Sequence, residues 1–274
     1  MSHSHGGPDR LHADNVTLRY NKRTISRSLS VSIPDGSFTV IVGPNACGKS
    51  TLLKALSRLL SPEAGQVILD GRSIADLSAK DVARRLGLLP QSSIAPEGIT
   101  VADLVARGRY PHQSFFRQWS KADEEAIIAA IEATRVTDLS GCLVDELSGG
   151  QRQRVWIAMV LAQETPILLL DEPTTFLDIA HQIELMDLLA DLNSRGRTIV
   201  AVLHDLNHAC RYASHLIAMK DGAIVAEGRP SAIVTEKLVE DVFGLPSVII
   251  PDPVSNTPLI VPKGRQVALS VQGG

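Results

Sequence analysis

The sequence predicts an α/β protein: a mainly parallel sheet with helices on both faces and a helical lobe inserted into it. Three observations lead there. Short, β-branched apolar runs alternate with helix-patterned stretches, which is the order of a parallel sheet covered on both sides. A glycine-bearing loop at residues 43–51 separates one such run from a helical pattern. Between residues 100 and 162 the pattern is mainly helical, and the alternation resumes only afterwards.

Taken in order, residues 1–10 read as a flexible leader with no basic-then-apolar signal, and His3 and His5 within it read as incidental rather than metal-binding. Residues 13–20 and 28–33 are β-patterned, and Pro34, Asp35 and Gly36 make a turn. Residues 38–42 form a buried-strand run, and residues 49–60 have helical spacing. Further strands are expected at 66–69 and 86–89. The helical stretch carries a polar, aromatic-bearing insertion at 110–120. Beyond it come a strand at 167–170, a helix at 179–192, a strand at 198–203 and a helix at 205–212. Residues 216–220 and 223–227 read as a hairpin about Asp221 and Gly222, an Asp-Gly turn signal. The proline-rich tail from 246 onward reads as irregular or edge structure.

Composition narrows the function. Hydrophobic residues at 44% supply a sizeable core, while 4% aromatics leave no stacking platform for single-stranded nucleic acid. A net charge of -3 argues against a broad basic surface, so no nucleic-acid partner is expected. The longest apolar run, residues 155–162, is far too short to cross a bilayer. Cys47, Cys142 and Cys210 form no Cys-x-x-Cys pair, which suits a reducing cytosol. Any membrane role must come through a partner.

The loop Gly43, Pro44, Asn45, Ala46, Cys47, Gly48, Lys49, Ser50, Thr51 follows a strand and opens a helix. Phosphate-binding loops need that context, because backbone N–H groups and a helix N-terminus then point at phosphate oxygens. Lys49 would reach the β- and γ-phosphates of ATP, and Ser50 would ligate Mg²⁺. The apolar run at 167–170 ends in Asp171 and Glu172, the form of a metal-holding carboxylate followed by a general base. His204 directly follows the strand at 198–203. A lone histidine there would be a structural residue. The loop, the carboxylate pair and His204 nevertheless all follow parallel strands, so they meet at the carboxyl edge where open α/β sheets bind ligands.

Ser148, Gly149, Gly150 and Gln151 sit inside Leu-Ser-Gly-Gly-Gln-Arg-Gln-Arg at residues 147–154. On its own, Ser-Gly-Gly before a helix is only an anion-binding helix start. With the preceding motifs the octet resembles the signature of ABC-transporter ATP-binding subunits. That resemblance spans roughly residues 11–262. It implies a P-loop NTPase core with a mainly parallel sheet, an N-terminal antiparallel β subdomain and an inserted helical subdomain, the ABC ATPase fold. The ABC ATPase domain would cover 11–245, with the helical subdomain at about 100–162 and a C-terminal tail at 246–274.

The resemblance also implies roles. Tyr20 is similar to the aromatic that stacks on adenine, although a tyrosine ending a strand is also an ordinary core residue. Gln91 is similar to the glutamine that senses Mg²⁺ and the membrane partner, and Asp178 to an aspartate at the dimer interface. His204 is similar to the histidine that contacts the γ-phosphate. The signature of one subunit serves ATP held by the opposite one, so a homodimer is expected. Transmembrane permease subunits would be direct partners, a substrate-binding protein an indirect one, and the cytoplasmic face of the cell membrane the site of action. Residues 108–112, 176–182 and 203–207, with the tail at 242–253, resemble the ferric-siderophore importer subgroup. Haem and vitamin B12 importers are its near relatives. Soluble ABC ATPases of DNA repair or translation carry long coiled coils or a second cassette, and neither is present here. A scaffold that binds ATP without hydrolysing it would lack Glu172 or His204.

One departure bears on chemistry. Ala46 stands where the family has glycine, and a Cβ there matters if the loop needs positive φ. Cys47 reads as a small packing residue rather than a redox sensor.

Overall fold

Strand alternation resolves into two main sheets and a small two-stranded ribbon in the computed structural model, which describes residues 9–20, 23–113 and 119–264. The leader therefore lies almost wholly outside the described residues, as do Phe115 and Phe116 of the aromatic insertion. β1 (Leu11–Tyr20), β2 (Arg23–Ile33), β4 (Ala64–Leu69) and β5 (Arg72–Ser73) make an antiparallel sheet in the order β2-β1-β4-β5. In β1 the buried residues Leu11, Ala13, Val16 and Leu18 keep to one face because a bulge between Ala13 and Val16 resets the alternation.

The second sheet has the order β10-β9-β3-β8-β7-β6, formed by β3 (Phe38–Val42), β6 (Leu86–Leu89), β7 (Ile167–Asp171), β8 (Thr198–Val202), β9 (His215–Lys220) and β10 (Ala223–Gly228). All of its pairings are parallel except that of β9 with β10, which turns on Asp221 and Gly222. Every residue of β3, β7 and β8 is buried, which is why these strands read as near-continuous apolar runs. Their side chains still alternate. Leu168 and Leu170 join the larger core with the helices, whereas Ile167 and Leu169 join a second core with the antiparallel sheet. Leu52 and Leu53 of α1 (Lys49–Leu56) complete that second core. The helix expected at 49–60 stops early because Arg58 turns into the left-handed region at φ 67.

The inserted lobe contains α3 (Val101–Ala106), α4 (Lys121–Ala133) and α5 (Gly149–Ala162), preceded by the short α2 (Ala79–Ala83). Thr100, Ser120 and Ser148 cap the three longer helices through their hydroxyls. A buried ion pair, Arg109 Nε to Asp123 Oδ1 at 2.8 Å, fixes the start of α4. The same guanidinium donates to the Ala162 carbonyl at 2.7 Å and so ties α4 to the end of α5.

α6 (Ile179–Ser194) follows β7, and α7 (Leu206–Tyr212) follows β8. α8 (Pro230–Ile233) and α9 (Glu236–Phe243) close the chain onto β9 and β10. Of the two readings of the tail, edge structure is the one that holds. Instead of irregular structure it forms an antiparallel hairpin, β11 (Ser247–Pro251) with β12 (Pro258–Pro262), whose Ile260 enters the main core. Its prolines are tolerated because Pro251, Pro258 and Pro262 all stand at strand ends.

Candidate functional site

The parallel register brings the strand ends together. Leu89 pairs with Leu170, Asp171 with Val202, and Val202 with Ile41. The residues that follow these positions therefore gather at one edge: Gln91, Glu172, His204 and the glycine loop.

The loop is held by close backbone contacts. Gly43 leaves β3 at φ 154, and a Cβ there would stand 2.2 Å from the Met219 carbonyl oxygen. Only glycine fits. Gly222, in the β9–β10 turn, donates its N–H to the Cys47 carbonyl at 2.9 Å. A Cβ on Gly222 would lie 1.8 Å from the Ile25 carbonyl oxygen, so this turn is a backstop for the loop. Ala46 adopts φ 60, the positive φ that makes its Cβ a constraint. Cys47 is buried, and burial pushes its thiol up, which fits a packing residue. Lys49 is also buried, and its Nζ donates to the carbonyls of Gly43 at 2.9 Å and Pro44 at 2.8 Å.

Ser50 Oγ donates to Asp171 Oδ1 at 2.9 Å. Burial raises the pKa of the Asp171 carboxyl, and the Ser50 hydrogen bond opposes that rise. Glu172 sits at φ 55, an uncommon conformation for a residue with a side chain. That turn aims its carboxylate away from the strand. Oε1 accepts from Gln91 Nε2 at 3.0 Å and lies 2.8 Å from His204 Nε2. A cleft of about 490 Å³ covers this cluster, lined by residues 45–51 with Tyr20, Gln91, Glu172 and His204. Tyr20 is 54% exposed, so it is no core tyrosine, and Lys54 Nζ stands 5.7 Å from its ring centroid. Arg23 and Lys54 also line the cleft, and their place in it depends on how two distant segments fold together.

Two expected groups lie elsewhere. Ser148, Gly149, Gly150 and Gln151 open α5, where Ser148 Oγ accepts the Gln151 N–H at 3.3 Å and Gln151 Oε1 accepts the Ser148 N–H at 3.0 Å. Asp178 caps α6, accepting the backbone N–H of His181 at 2.9 Å, a bond that holds its carboxyl below the usual range. Neither group lines the cleft. They are neighbours of each other, because Phe176 packs over Gly149 and Gly150. Gln153 Nε2 adds a hydrogen bond to the Pro173 carbonyl at 3.0 Å.

A nucleotide-sized cleft lined by Lys49, Glu172 and His204, with Asp171 buried behind Ser50, has the make-up of a P-loop hydrolase site. The chain belongs to the ABC transporter family, whose pattern it matches over residues 26–175, and it is an ATP-hydrolysing subunit of that family. It is 60% identical over 257 residues to the ferric enterobactin transport ATP-binding protein FepC of Escherichia coli (strain K12), covering 93% of this chain and 95% of that one. It is 54% identical to the probable siderophore transport system ATP-binding protein YusV of Bacillus subtilis (strain 168), covering 94% of each. Among solved structures it resembles the bacterial ABC transporter cassette MJ0796 in dimeric form, with a TM-score of 0.73 and 28% identity over 80% of this chain and 98% of that one. The same cassette bound to ADP and Pi after hydrolysis gives a TM-score of 0.72, with the same identity and coverage.

Proposed function

We propose that this ATPase drives import of a ferric siderophore as a head-to-tail homodimer. It would dock on transmembrane permease subunits at the cytoplasmic face of the membrane, with a substrate-binding protein as an indirect partner. The observation that carries the substrate class is the 60% identity to a ferric enterobactin transport subunit across 93% of the chain. Among the described residues no helix is long and apolar enough to cross a membrane.

In this reading Lys49 and the loop N–H groups hold the β- and γ-phosphates of ATP, and Tyr20 stacks on the base. Glu172 takes the proton of the attacking water, held in place by Gln91 and His204. The Ser50 hydroxyl and the Asp171 carboxylate, 2.9 Å apart, are hard oxygen donors that suit Mg²⁺, and the amide oxygen of Gln91, which lines the same cleft as Ser50, would be a third donor. Mg²⁺ would neutralise phosphate charge as the terminal phosphate leaves. Ser148, Gly149, Gly150 and Gln151 serve the ATP of the partner subunit, and Asp178 lies at the interface. Support comes from their position outside the cleft, together with the partial positive charge of the α5 start.

The test is uptake in a strain deleted for this gene. Import of a ferric siderophore should fail while haem and vitamin B12 import continue, and a plasmid copy should restore it. Loss of haem or vitamin B12 uptake alone would reassign the substrate.

A further inference from the structure

We propose that the C-terminal hairpin β11–β12 is a strap that positions His204, attached through Asn207 and Arg211. The proposal rests on the reading of His204 as part of the hydrolytic machinery. His204 directly precedes Asp205, the cap of α7, whose Oδ1 accepts the N–H groups of Asn207 at 2.7 Å and His208 at 2.9 Å. The direction of the histidine is thus set by the first turn of α7. That helix has seven residues, too few to hold its shape without tertiary support. Ala209 and Cys210 anchor one face in the core.

The hairpin supplies the rest. The Asn207 amide treats Ile260 as a strand partner: Oδ1 accepts the Ile260 N–H at 2.8 Å, and Nδ2 donates to the Ile260 carbonyl at 3.4 Å. One helical turn later, Arg211 Nη2 donates to Asp252 Oδ2 at 2.8 Å. Residues four apart share a helix face, so both attachments act on the same side of α7. Asp252 also orders the hairpin turn, accepting the N–H groups of Val254 at 2.8 Å and Ser255 at 3.0 Å. A two-stranded ribbon is marginal by itself, and so is α7. Each orders the other. No hairpin residue lines the nucleotide cleft, so its effect on the site passes through α7 and His204.

The experiment is ATPase kinetics on full-length Asn207→Leu, which keeps the side-chain size but removes both hydrogen bonds. The turnover number should fall about three- to tenfold, the worth of one hydrogen bond, with KM for ATP unchanged. Arg211→Met should behave alike, whereas Arg211→Lys, which keeps a cation beside Asp252, should retain most activity. In single-turnover measurements on a His204→Ala background, adding Asn207→Leu should cost less than about twofold further, because both changes act on one group. If Asn207→Leu does not fold, the Arg211 pair gives the same readings. Normal turnover in both Asn207→Leu and Arg211→Met, or losses that multiply with His204→Ala, would overturn the strap alone. A His204→Ala enzyme with wild-type turnover would overturn the strap together with the role given to His204.

Discussion

Glu172 is where backbone geometry and chemistry meet. Its left-handed φ turns the carboxylate toward Gln91 and His204, which hold one oxygen between them. Glu172→Gln keeps the shape and loses the proposed base. ATP binding should persist while hydrolysis slows by roughly 10²- to 10⁴-fold, read by nucleotide titration beside a phosphate-release assay. Ala46 gives a quieter test. Its Cβ in the left-handed region costs about 1–2 kcal/mol, part of which a glycine would return as extra freedom of the unfolded chain. Ala46→Gly should therefore raise stability by about 0.5–1 kcal/mol in a thermal melt. Because the loop already holds φ 60, nucleotide affinity should barely move.

At the scale of elements, the loop depends on a turn far from it in sequence. The β9–β10 turn presses Gly222 against Ile25 and Cys47, leaving no room for a methyl group. Gly222→Ala should displace the loop, raising KM for ATP and lowering stability by at least about 1–2 kcal/mol for the positive φ alone. The hairpin β11–β12 carries a pH signature. Backbone N–H groups of Ser255 and Val254, with Arg211, lower the Asp252 carboxyl to about 2 from an ordinary 3.8. A depressed folded-state value means stabilisation that is full above the unfolded value and fades as pH falls from 3.8 toward 2. Melts across that window should show the decline, and Asp252→Asn should flatten it.

At the scale of the whole molecule, the cleft and the start of α5 stand apart. Lys49 lines the cleft, but Ser148 heads α5 outside it, next to Phe176. In the proposed dimer, Lys49 of one subunit works with Ser148 of the other. Lys49→Ala and Ser148→Arg chains should each be inactive as homodimers. Mixed one to one, they should regain part of the ATPase activity, because some heterodimers carry both defects in one site and leave the other intact. ATP-dependent cross-linking between cysteines placed at Asn45 and Gly149 of opposite chains should accompany that recovery. Neither recovery nor cross-link in demonstrated mixed dimers would remove the shared site.

The amino-acid order by itself determined the parallel core, the phosphate loop and the carboxylate pair. Those features are local: a strand such as residues 38–42 is buried along its whole length, and the loop's chemistry sits in nine consecutive positions. Strand ends of one parallel sheet must share an edge, so the meeting of Lys49, Glu172 and His204 was legible as well. Tertiary structure decided what depends on contacts between distant segments. The tail's prolines disguised a hairpin, because its stability comes from Ile260 entering the core and from Asn207 and Arg211 rather than from propensity. Gly222 read only as a turn residue, since nothing in the order of residues 221–223 shows that Cys47 and Ile25 will press against it. Side chains far apart in sequence meet only when the chain closes, and burial and hydrogen bonding at those meetings set where each one points.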